Sequence, residues 1–413
     1  MLKAIFLSLL SVQLISAQVQ EWGQCGGASH TGSKECVSGL VCVYVDYWFS
    51  QCQKPSGTTN SPPTTTTQNT VVTSGGSGGS SSDPCSHGTF CINGTKILDS
   101  NRRPFLIRGI NNAHADWDNW SRSWALKSLN KIAEYKTNTV RVQWRMKINN
   151  NDLTLSHLEN IIVTAKNLGM VSMVQLHDAT GDSDPNALKS CAQWFVNHLS
   201  LFQKHKQYVM INIANEWSPW GTSGADWKNA YLTAINLIRS AGWQGIIVVD
   251  APAYAQDPNA IIQYGSDIMF HDKTNNKNGN ILFSLHTYVQ WKKTNGDYQF
   301  RNHLTKIVDK GLPVVIGEFA DKHPEHPSCQ WADIDYLDLM KVCKERDIGY
   351  LGWSWAGNGW DCNQSIAALN MIQGDQQVES TWTQGVLSDW GKKIYDTPLY
   401  GIKATSVKAS IFP

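Results

Sequence analysis

NTVRVQ, at residues 138–143, is a short run rich in β-branched residues, of the kind that forms a buried strand. Seven further runs of this kind occur in the same part of the chain, and neighbouring runs begin roughly 32 to 38 residues apart. This interval is the length of one strand, one helix and their connections, and the stretches 125–135 and 230–240 have the amphipathic pattern of helices. The other runs are FLIRGI at 105–110, MVSMVQL at 170–176, YVMINI at 208–213, GIIVVD at 245–250, ILFSL at 281–285, PVVIG at 313–317 and IGYLGWS at 348–354.

Eight successive strand–helix units predict an α/β protein whose main domain is a (β/α)8 barrel of parallel strands. A doubly wound open sheet is the structural alternative, but no glycine-rich phosphate loop follows the first run, as it does in the commonest form of that fold. Barrel enzymes carry their chemistry at the carboxyl ends of the strands. We therefore expect the functional residues just after these eight runs.

The charge balance of the chain excludes several classes of partner. The 413 residues include 35 Lys and Arg against 34 Asp and Glu, a formal net charge of +1. Such a chain has no electrostatic basis for binding nucleic acid or an anionic membrane, and we expect a monomer without either partner. The 18 Trp residues are unusual, since exposed indole rings offer flat apolar faces against which sugar rings stack.

Composition divides the chain into four segments. Residues 1–17 combine the basic Lys3, an apolar stretch and a small-residue cleavage site, which predicts a secretory signal too short to span a bilayer. A cysteine-rich block at 18–53 is followed by a Thr-, Ser- and Gly-rich linker at 54–84 and by a globular region at 85–413. We expect a secreted, extracellular protein in which the ten cysteines form disulfides.

The block at 18–53 is too small to build much of a core, and its four cysteines leave three disulfide connectivities open. Its QCGG at 24–27 and WFSQC at 48–52 resemble the fungal-type family-1 carbohydrate-binding module over the whole block. The resemblance implies the disulfides Cys25–Cys42 and Cys36–Cys52. It also implies a cellulose-binding face formed by Trp22, Trp48 and Phe49, flanked by Gln51 and by Asp46, where the family usually has Asn.

Covalent modification of the larger region is less determined by the sequence. Its six cysteines allow fifteen pairings, among which the sequence expresses a preference only for Cys85–Cys91. Asn-X-Ser/Thr sequons predict N-glycans on a secreted chain. They occur at Asn93, Asn119 and Asn363.

Polar or aromatic side chains follow six of the predicted strands, which is difficult to attribute to chance. They are Arg141 after the second strand, His177 after the third, Asn215, Glu216 and Trp217 after the fourth, His286 and Tyr288 after the sixth, Glu318 after the seventh, and Trp353 and Trp355 in the eighth. The fourth and seventh strands lie across the mouth of such a barrel, so Glu216 and Glu318 can face each other. Cleavage of a glycosidic bond requires two carboxyl groups that flank the bond.

The neighbouring residues suit the same chemistry. Asn215 can hydrogen-bond a sugar 2-hydroxyl, Tyr288 can orient a nucleophilic carboxylate, and the charge of Arg141 can hold Glu318 ionised. Two further positions stay open. Asp250 either lines the cleft or is a structural strand-end carboxylate, and His114, with Trp117, either binds outer sugar units or packs in its loop.

This set of residues resembles glycoside hydrolase family 5 over roughly residues 86–405. The resemblance implies that Glu216 is the acid/base, that Glu318 is the nucleophile, and that Trp353 lies under the cleaved sugar. Trp355 is the second candidate for that place, since it shares strand parity with Trp353. The other implied site residues are Arg141, His177, Asn215, His286 and Tyr288.

Finer motifs resemble the bacterial and invertebrate endo-β-1,4-mannanases of that family. They are RGINNAH at 108–114, LHDATG at 176–181, WSWAGNG at 353–359 and YGIKATS at 400–406. Asn112 departs from an expected His, and Trp217 stands where cellulases of the family usually have Pro. The expectation is a retaining endo-β-1,4-mannanase that acts on mannan and is anchored on cellulose, without cofactor or metal. An endo-β-1,4-glucanase of the same family and a non-catalytic wall-binding protein are the alternatives.

Overall fold

Eight parallel strands close into a barrel in the computed structural model, which confirms the predicted (β/α)8 architecture. The chain divides into two units between Gly78 and Gly79, a position within the predicted linker. The proposed signal at 1–17 and the linker residues 55–82 lie outside the described residues. The structure describes residues 18–21, 23–26, 30–46, 49–54, 83–114, 121–146, 154–288, 291, 300–321, 334–358 and 369–413.

The smaller unit is a three-stranded antiparallel sheet formed by β1 (Gln24–Gly26), β2 (Val41–Asp46) and β3 (Phe49–Gln53). The order in the sheet is β1-β3-β2. Two disulfides, Cys25–Cys42 and Cys36–Cys52, cross it, and they are the pairs that the family resemblance implies. So short a chain buries little apolar surface, and its fold therefore depends on these two covalent links.

A second antiparallel sheet closes the amino-terminal end of the barrel. It consists of β4 (Cys91–Asn93), β5 (Lys96–Leu98) and β6 (Pro104–Phe105), and a disulfide joins Cys91 to Cys85. Its apolar side chains form one buried cluster with residues from the barrel strands, so this end of the barrel is filled. The cluster includes Phe90, Ile92, Ile97, Phe105, Val171, Met173, Met210, Val248, Leu282, Val315 and Leu351.

Each barrel strand is buried on both faces, which explains why the strands appear in the sequence as continuous apolar runs. Strands that are neighbours in the chain are neighbours in the barrel, and the last strand pairs with the first. The strands are β7 (Arg108–Ala113), β8 (Thr139–Trp144), β9 (Val171–Leu176), β10 (Val209–Asn212), β11 (Ile247–Asp250), β12 (Ile281–Thr287), β13 (Val314–Phe319) and β14 (Gly349–Gly352).

Helices surround the barrel, and several of them begin at a side chain that accepts a hydrogen bond from the helix backbone. Asp184, Ser223, Asp257, Asp335 and Ser388 act as such caps. In the described part of the chain, no helix is long and apolar enough to cross a membrane. The helices are α1 (Ser121–Glu134), α2 (Leu155–Asn167), α3 (Pro185–Asn197), α4 (Leu199–Lys204), α5 (Gly224–Ser240), α6 (Pro252–Ala255), α7 (Pro258–Thr274), α8 (Phe300–Asp309), α9 (Tyr336–Glu345), α10 (Glu379–Gln384), α11 (Asp389–Asp396) and α12 (Ile402–Thr405).

The structure corrects two strand boundaries. The run at 105–110 contributes Phe105 to β6, which pairs with β5, and the barrel strand begins only at Arg108. The last barrel strand ends at Gly352, so Trp353 and Trp355 lie beyond it. The prediction that both indoles point inward because they share strand parity therefore does not apply.

The expectation that all ten cysteines form disulfides is wrong for two of them. Cys191 of α3 and Cys343 of α9 are free thiols, because each faces the apolar core with no cysteine of the described residues beside it. Burial raises the pKa of both thiols to about 12, which leaves them as unreactive core residues. Cys329 and Cys362 lie outside the described residues.

Candidate active site

Six of the predicted site residues meet at the carboxyl end of the barrel. Some lie within strands β8, β12 and β13, and the rest lie one to four residues beyond the ends of β10 and β12. The carboxyl ends of parallel strands converge on one mouth, so residues far apart in the chain become neighbours there. The six are Arg141, Asn215, Glu216, His286, Tyr288 and Glu318.

Arg141 organises this cluster. Its guanidinium is fully buried, and Nη1 donates to Glu318 Oε1 at 2.6 Å and to Asn111 Oδ1 at 2.9 Å. Nη2 donates to Asn215 Oδ1 at 2.8 Å, and both Nε and Nη2 donate to Asn212 Oδ1 at 3.0 and 2.9 Å. A planar fork bound on all sides cannot rotate, so Arg141 sets the position of the Glu318 carboxylate.

Glu318 is held from both of its oxygens. Oε1 accepts from Arg141, and Oε2 accepts from the Tyr288 hydroxyl at 3.0 Å. The preceding residue is Gly317, where a Cβ would collide with Ser284 Oγ and would lie 3.0 Å from His286 Nε2. Glycine at this position therefore lets both β12 side chains pack closely beside β13.

Glu216 is partly exposed, with 15% of its side chain accessible, and its Oε1 lies 2.8 Å from His286 Nδ1. Its backbone is in the left-handed region, with φ of 44°, and that of Ser218 has φ of 87°. Such a conformation costs about 1–3 kcal/mol per residue and persists only where neighbours hold it. Here the Glu216 N–H donates to Asp250 Oδ2 at 3.0 Å, and Gly181 N–H donates to the Glu216 carbonyl at 3.0 Å.

The electrostatics of the two carboxyl groups differ. Burial raises the pKa of Glu216 well above its usual range, and the charges of Glu318 and Asp250 raise it further. Burial also raises the pKa of Glu318, but the Arg141 charge and the Tyr288 hydrogen bond counteract this effect, and the pKa rises only to about 7. Glu318 therefore loses its proton before Glu216 does, which leaves one carboxylate beside one carboxylic acid.

Buried residues that the sequence did not assign complete the site. Asp250 is fully buried, and its Oδ1 accepts from Asn212 Nδ2 at 3.0 Å. Its Oδ2 lies 3.5 Å from Arg141 Nη2 and 3.5 Å from His286 Nε2. Asp250 thus touches the groups that support both carboxyl groups. The signal for Asn212 was a polar residue within the apolar run YVMINI, since a buried amide requires partners.

The three predicted indoles have different surroundings. Trp353 is 7% exposed, and its Nε1 donates to Asn358 Oδ1 at 2.8 Å. Trp355 is fully buried in the core, where its Nε1 donates to the Trp382 carbonyl. Trp217 is also a core residue, 1% exposed, with Nε1 bonded to the Asp184 carbonyl. All three belong to the buried core cluster, and Trp353 is the most accessible of them.

The histidines after the first and third strands also differ. His177 is partly exposed, and its Nδ1 lies 3.1 Å from Gln175 Nε2. His114 is fully buried beside the Asn112 amide, 3.2 Å away, and burial lowers its pKa to about 3. Asn112 itself donates to the Ala125 carbonyl of α1, so this pair ties β7 to the first helix. Trp117 lies outside the described residues.

The predicted cellulose-binding face is only partly covered by the described residues. Trp22 and Trp48 lie outside them, and only the backbone of Phe49 is described, at the start of β3. Gln51 is half-buried in the same strand and pairs with Gln24 and Val43.

Glu216, His286 and Glu318 also form a possible cation-binding group, since one ligand atom of each lies within 4.8 Å of the others. Both oxygens of Glu318 already accept hydrogen bonds, from Arg141 and from Tyr288. A guanidinium that already compensates the carboxylate disfavours a second cation there. The arrangement is better suited to a nucleophile and a proton donor.

Comparison with known proteins agrees with this geometry. Residues 98–359 match the family model described as cellulase (glycosyl hydrolase family 5), and residues 21–49 match the fungal cellulose binding domain. A mannan endo-1,4-beta-mannosidase from Salipaludibacillus agaradhaerens is 29% identical over 333 residues, which cover 78% of this chain and 96% of that protein.

Solved structures give the same relationship. The β-mannanase from Thermomonospora fusca superposes with a TM-score of 0.66 at 27% identity, covering 79% of this chain and 99% of its own. The β-mannanase from Streptomyces thermolilacinus with mannohexaose gives 0.65 at 28% identity, covering 78% and 98%. The chain therefore belongs to glycosyl hydrolase family 5 and carries a fungal cellulose binding domain before its barrel.

Proposed function

We propose that this protein is a secreted endo-β-1,4-mannanase that cleaves internal bonds of mannan, galactomannan and glucomannan with retention of configuration. The observation that carries the proposal is the distance between the two carboxyl groups: oxygens of Glu216 and Glu318 lie within 4.8 Å. Retaining glycosidases have separations of about 5–5.5 Å, and inverting ones about 6.5–9.5 Å, which leaves room for a water molecule. The names of the relatives support mannan as the substrate.

In the first step Glu318 attacks the anomeric carbon of the bound sugar while Glu216 donates its proton to the glycosidic oxygen. The electron pair of the breaking C1–O bond passes to that oxygen, and the shortened chain leaves as an alcohol. Arg141 and Tyr288 stabilise the ionised form of Glu318 before the attack. The raised pKa of Glu216 keeps the proton available for transfer.

In the second step Glu216, now ionised, takes a proton from water, and the resulting oxygen attacks the anomeric carbon. The bond from that carbon to Glu318 breaks, and its electron pair returns to the carboxylate. Two successive inversions restore the original configuration. Burial, followed by the Arg141 charge, lowers the pKa of His286 well below its usual range, so a neutral imidazole faces Glu216 in both steps.

Three residues are assigned to the sugar at the cleavage point. Trp353, the most exposed of the three predicted indoles, forms the apolar floor beneath it. Asn215 has its carbonyl oxygen bonded to Arg141, which turns its NH2 group, now donating to Thr180, toward a sugar 2-hydroxyl. His177 is partly exposed beside the same mouth and supplies a further hydrogen-bonding group.

The substrate assignment is tested by reducing-sugar release from galactomannan and from carboxymethyl-cellulose, measured side by side. We expect release from galactomannan to be at least about tenfold faster, a difference of about 1.4 kcal/mol in transition-state binding. The 2-hydroxyl is axial in mannose and equatorial in glucose, so the residues around the cleaved sugar decide the preference. Faster release from the cellulose derivative would identify an endo-glucanase, and no release from either would identify a wall-binding protein.

Anchoring on cellulose is assigned to the small unit. The Trp48→Ala variant should wash off microcrystalline cellulose at least several-fold more readily and keep full activity on soluble galactomannan, because it loses one flat apolar face. Val41→Ala provides a control, since Val41 is exposed in the same sheet but is not part of the proposed face. Unchanged retention of the Trp48→Ala variant would remove this residue from the binding face.

Asp250 gives a pH-dependent prediction. Activity requires ionised Glu318 and protonated Glu216, so it falls at low pH as Glu318 gains a proton and at high pH as Glu216 loses one. Besides burial, the Asp250 charge raises the pKa of both groups. Asp250→Asn should therefore shift both limbs of the profile of kcat/KM against pH toward lower pH. An unshifted profile with a uniformly reduced rate would show that Asp250 acts only through structure.

A further inference from the structure

We propose that Trp220 and Tyr254 form an aromatic platform that binds the sugar units on the leaving-group side of the cleaved bond. The proposal rests on the function proposed above and adds a site to it. Trp220 is 49% exposed, whereas the other indoles with known burial, Trp353 included, are mostly enclosed. An exposed indole beside a polysaccharide cleft provides apolar surface that a pyranose ring can cover.

The platform is connected directly to the backbone of Glu216. Tyr254 N–H donates to the Ser218 carbonyl at 3.0 Å, and a Cβ on Gly181 would lie 2.9 Å from the Tyr254 ring. Gly181 N–H in turn donates to the Glu216 carbonyl. Tyr254 is therefore separated from the backbone of Glu216 only by Gly181. The ring of Trp220 lies next to that of Tyr254, with a distance of 6.1 Å between the two ring centroids.

An unusual backbone presents Tyr254 at this position. Within α6, Ala253, Tyr254 and Ala255 have successive φ values of 58°, 57° and 57°, so this short segment is a left-handed turn and not a right-handed helix, a conformation that none of these residues favours. A strained turn of this kind is retained where the side chain it displays has a use or where surrounding contacts require it. The turn follows the end of β11 and faces the loop after β10, which carries both Glu216 and Trp220.

The position relative to Glu216 decides which part of the glycan lies there. Glu216 protonates the oxygen of the departing sugar, so the departing chain lies on the Glu216 side of the cleavage point. Trp220 also borders a groove of about 800 Å³ that is lined by residues 219–223 and by Asp226 and Asn229 of α5.

The test uses substrates that differ only on the leaving-group side. Trp220→Ala should lower kcat/KM for mannohexaose by about tenfold, mainly by raising KM, because bound sugar units lose a stacking surface. With an aryl β-mannobioside, whose leaving group is a single ring, kcat/KM should stay within about twofold. Trp220→Tyr should restore most of the loss. Phe270→Ala, which removes a 59% exposed ring from α7, should change neither substrate.

Two outcomes would overturn the proposal. An equal loss on both substrates would place Trp220 on the other side of the cleavage point or in a structural role. A loss confined to galactomannan binding, with mannohexaose unaffected, would make it a separate surface site. If the wild type prefers glucan, the same comparison with cellohexaose and an aryl cellobioside applies, since a stacking face does not depend on the 2-hydroxyl. A wrong substrate assignment and a wrong platform assignment would therefore give different results in this experiment.

Discussion

Glu318→Ala should lose activity on mannan by on the order of 10⁴-fold or more, because β13 carries no other carboxylate that could attack the anomeric carbon. Glu216→Ala should lose about 10²- to 10⁴-fold on the same polymer, since the departing sugar oxygen requires a proton. The two variants should separate on an activated aryl β-mannoside, whose leaving group departs without protonation. Glu216→Ala should release aryl alcohol in a burst and then stall, whereas Glu318→Ala should show no burst.

Azide distinguishes the two roles by the stereochemistry of the product. With Glu216→Ala, azide should attack the covalent intermediate and restore turnover, giving the β-mannosyl azide. With Glu318→Ala, azide should occupy the space of the missing carboxylate and give the α-azide. Glu134→Ala, which removes an exposed carboxylate from α1, is the control and should match the wild type. An α-azide from Glu216→Ala would exchange the two assignments, and an inverted sugar from the wild type would exclude the covalent mechanism.

Arg141→Met should reduce kcat/KM on mannan by about 10³-fold, equivalent to about 4 kcal/mol. It removes the partner of a buried carboxylate, a change that costs about 3–5 kcal/mol where the remaining charge is enclosed. It also removes the charge and hydrogen bond that lower the pKa of Glu318. The pKa of Glu318 therefore rises in the variant. Because Glu318 must be ionised to attack, the acid limb of the pH profile should move to higher pH.

Arg239→Met is the matched control for this experiment. Arg239 is almost as enclosed, pairs with Asp272 at 3.0 Å, and lies outside the active site on α5. Its loss should lower the free energy of unfolding by a similar amount while leaving the acid limb unchanged below the unfolding temperature. An acid limb that moves equally in both variants, or in neither, would show that Arg141 supports only the fold.

The positions of Glu216 and Glu318 were predictable because two regularities combine. Barrel strands buried on both faces appear as apolar runs, and their spacing reveals the repeating unit. The topology then brings residues after the fourth, sixth and seventh strands to one mouth, whatever their distance in the chain. Strand boundaries were less predictable. Phe105 continues an apolar run but pairs with β5, and nothing in the run itself distinguishes the two sheets.

The sequence by itself determined the barrel, the disulfide-linked module and the residues at the mouth, because periodicity and topology depend on order along the chain. The tertiary structure decided what surrounds each of these residues. Trp355 is fully buried and packs against Tyr135, just after α1, whereas Trp353 is 7% exposed. Asp250 lies close to Arg141, which binds Glu318, and to His286, which contacts Glu216, because β11 lies beside β10 and β12. A side chain's surroundings come from other segments of the chain, and no local pattern encodes them.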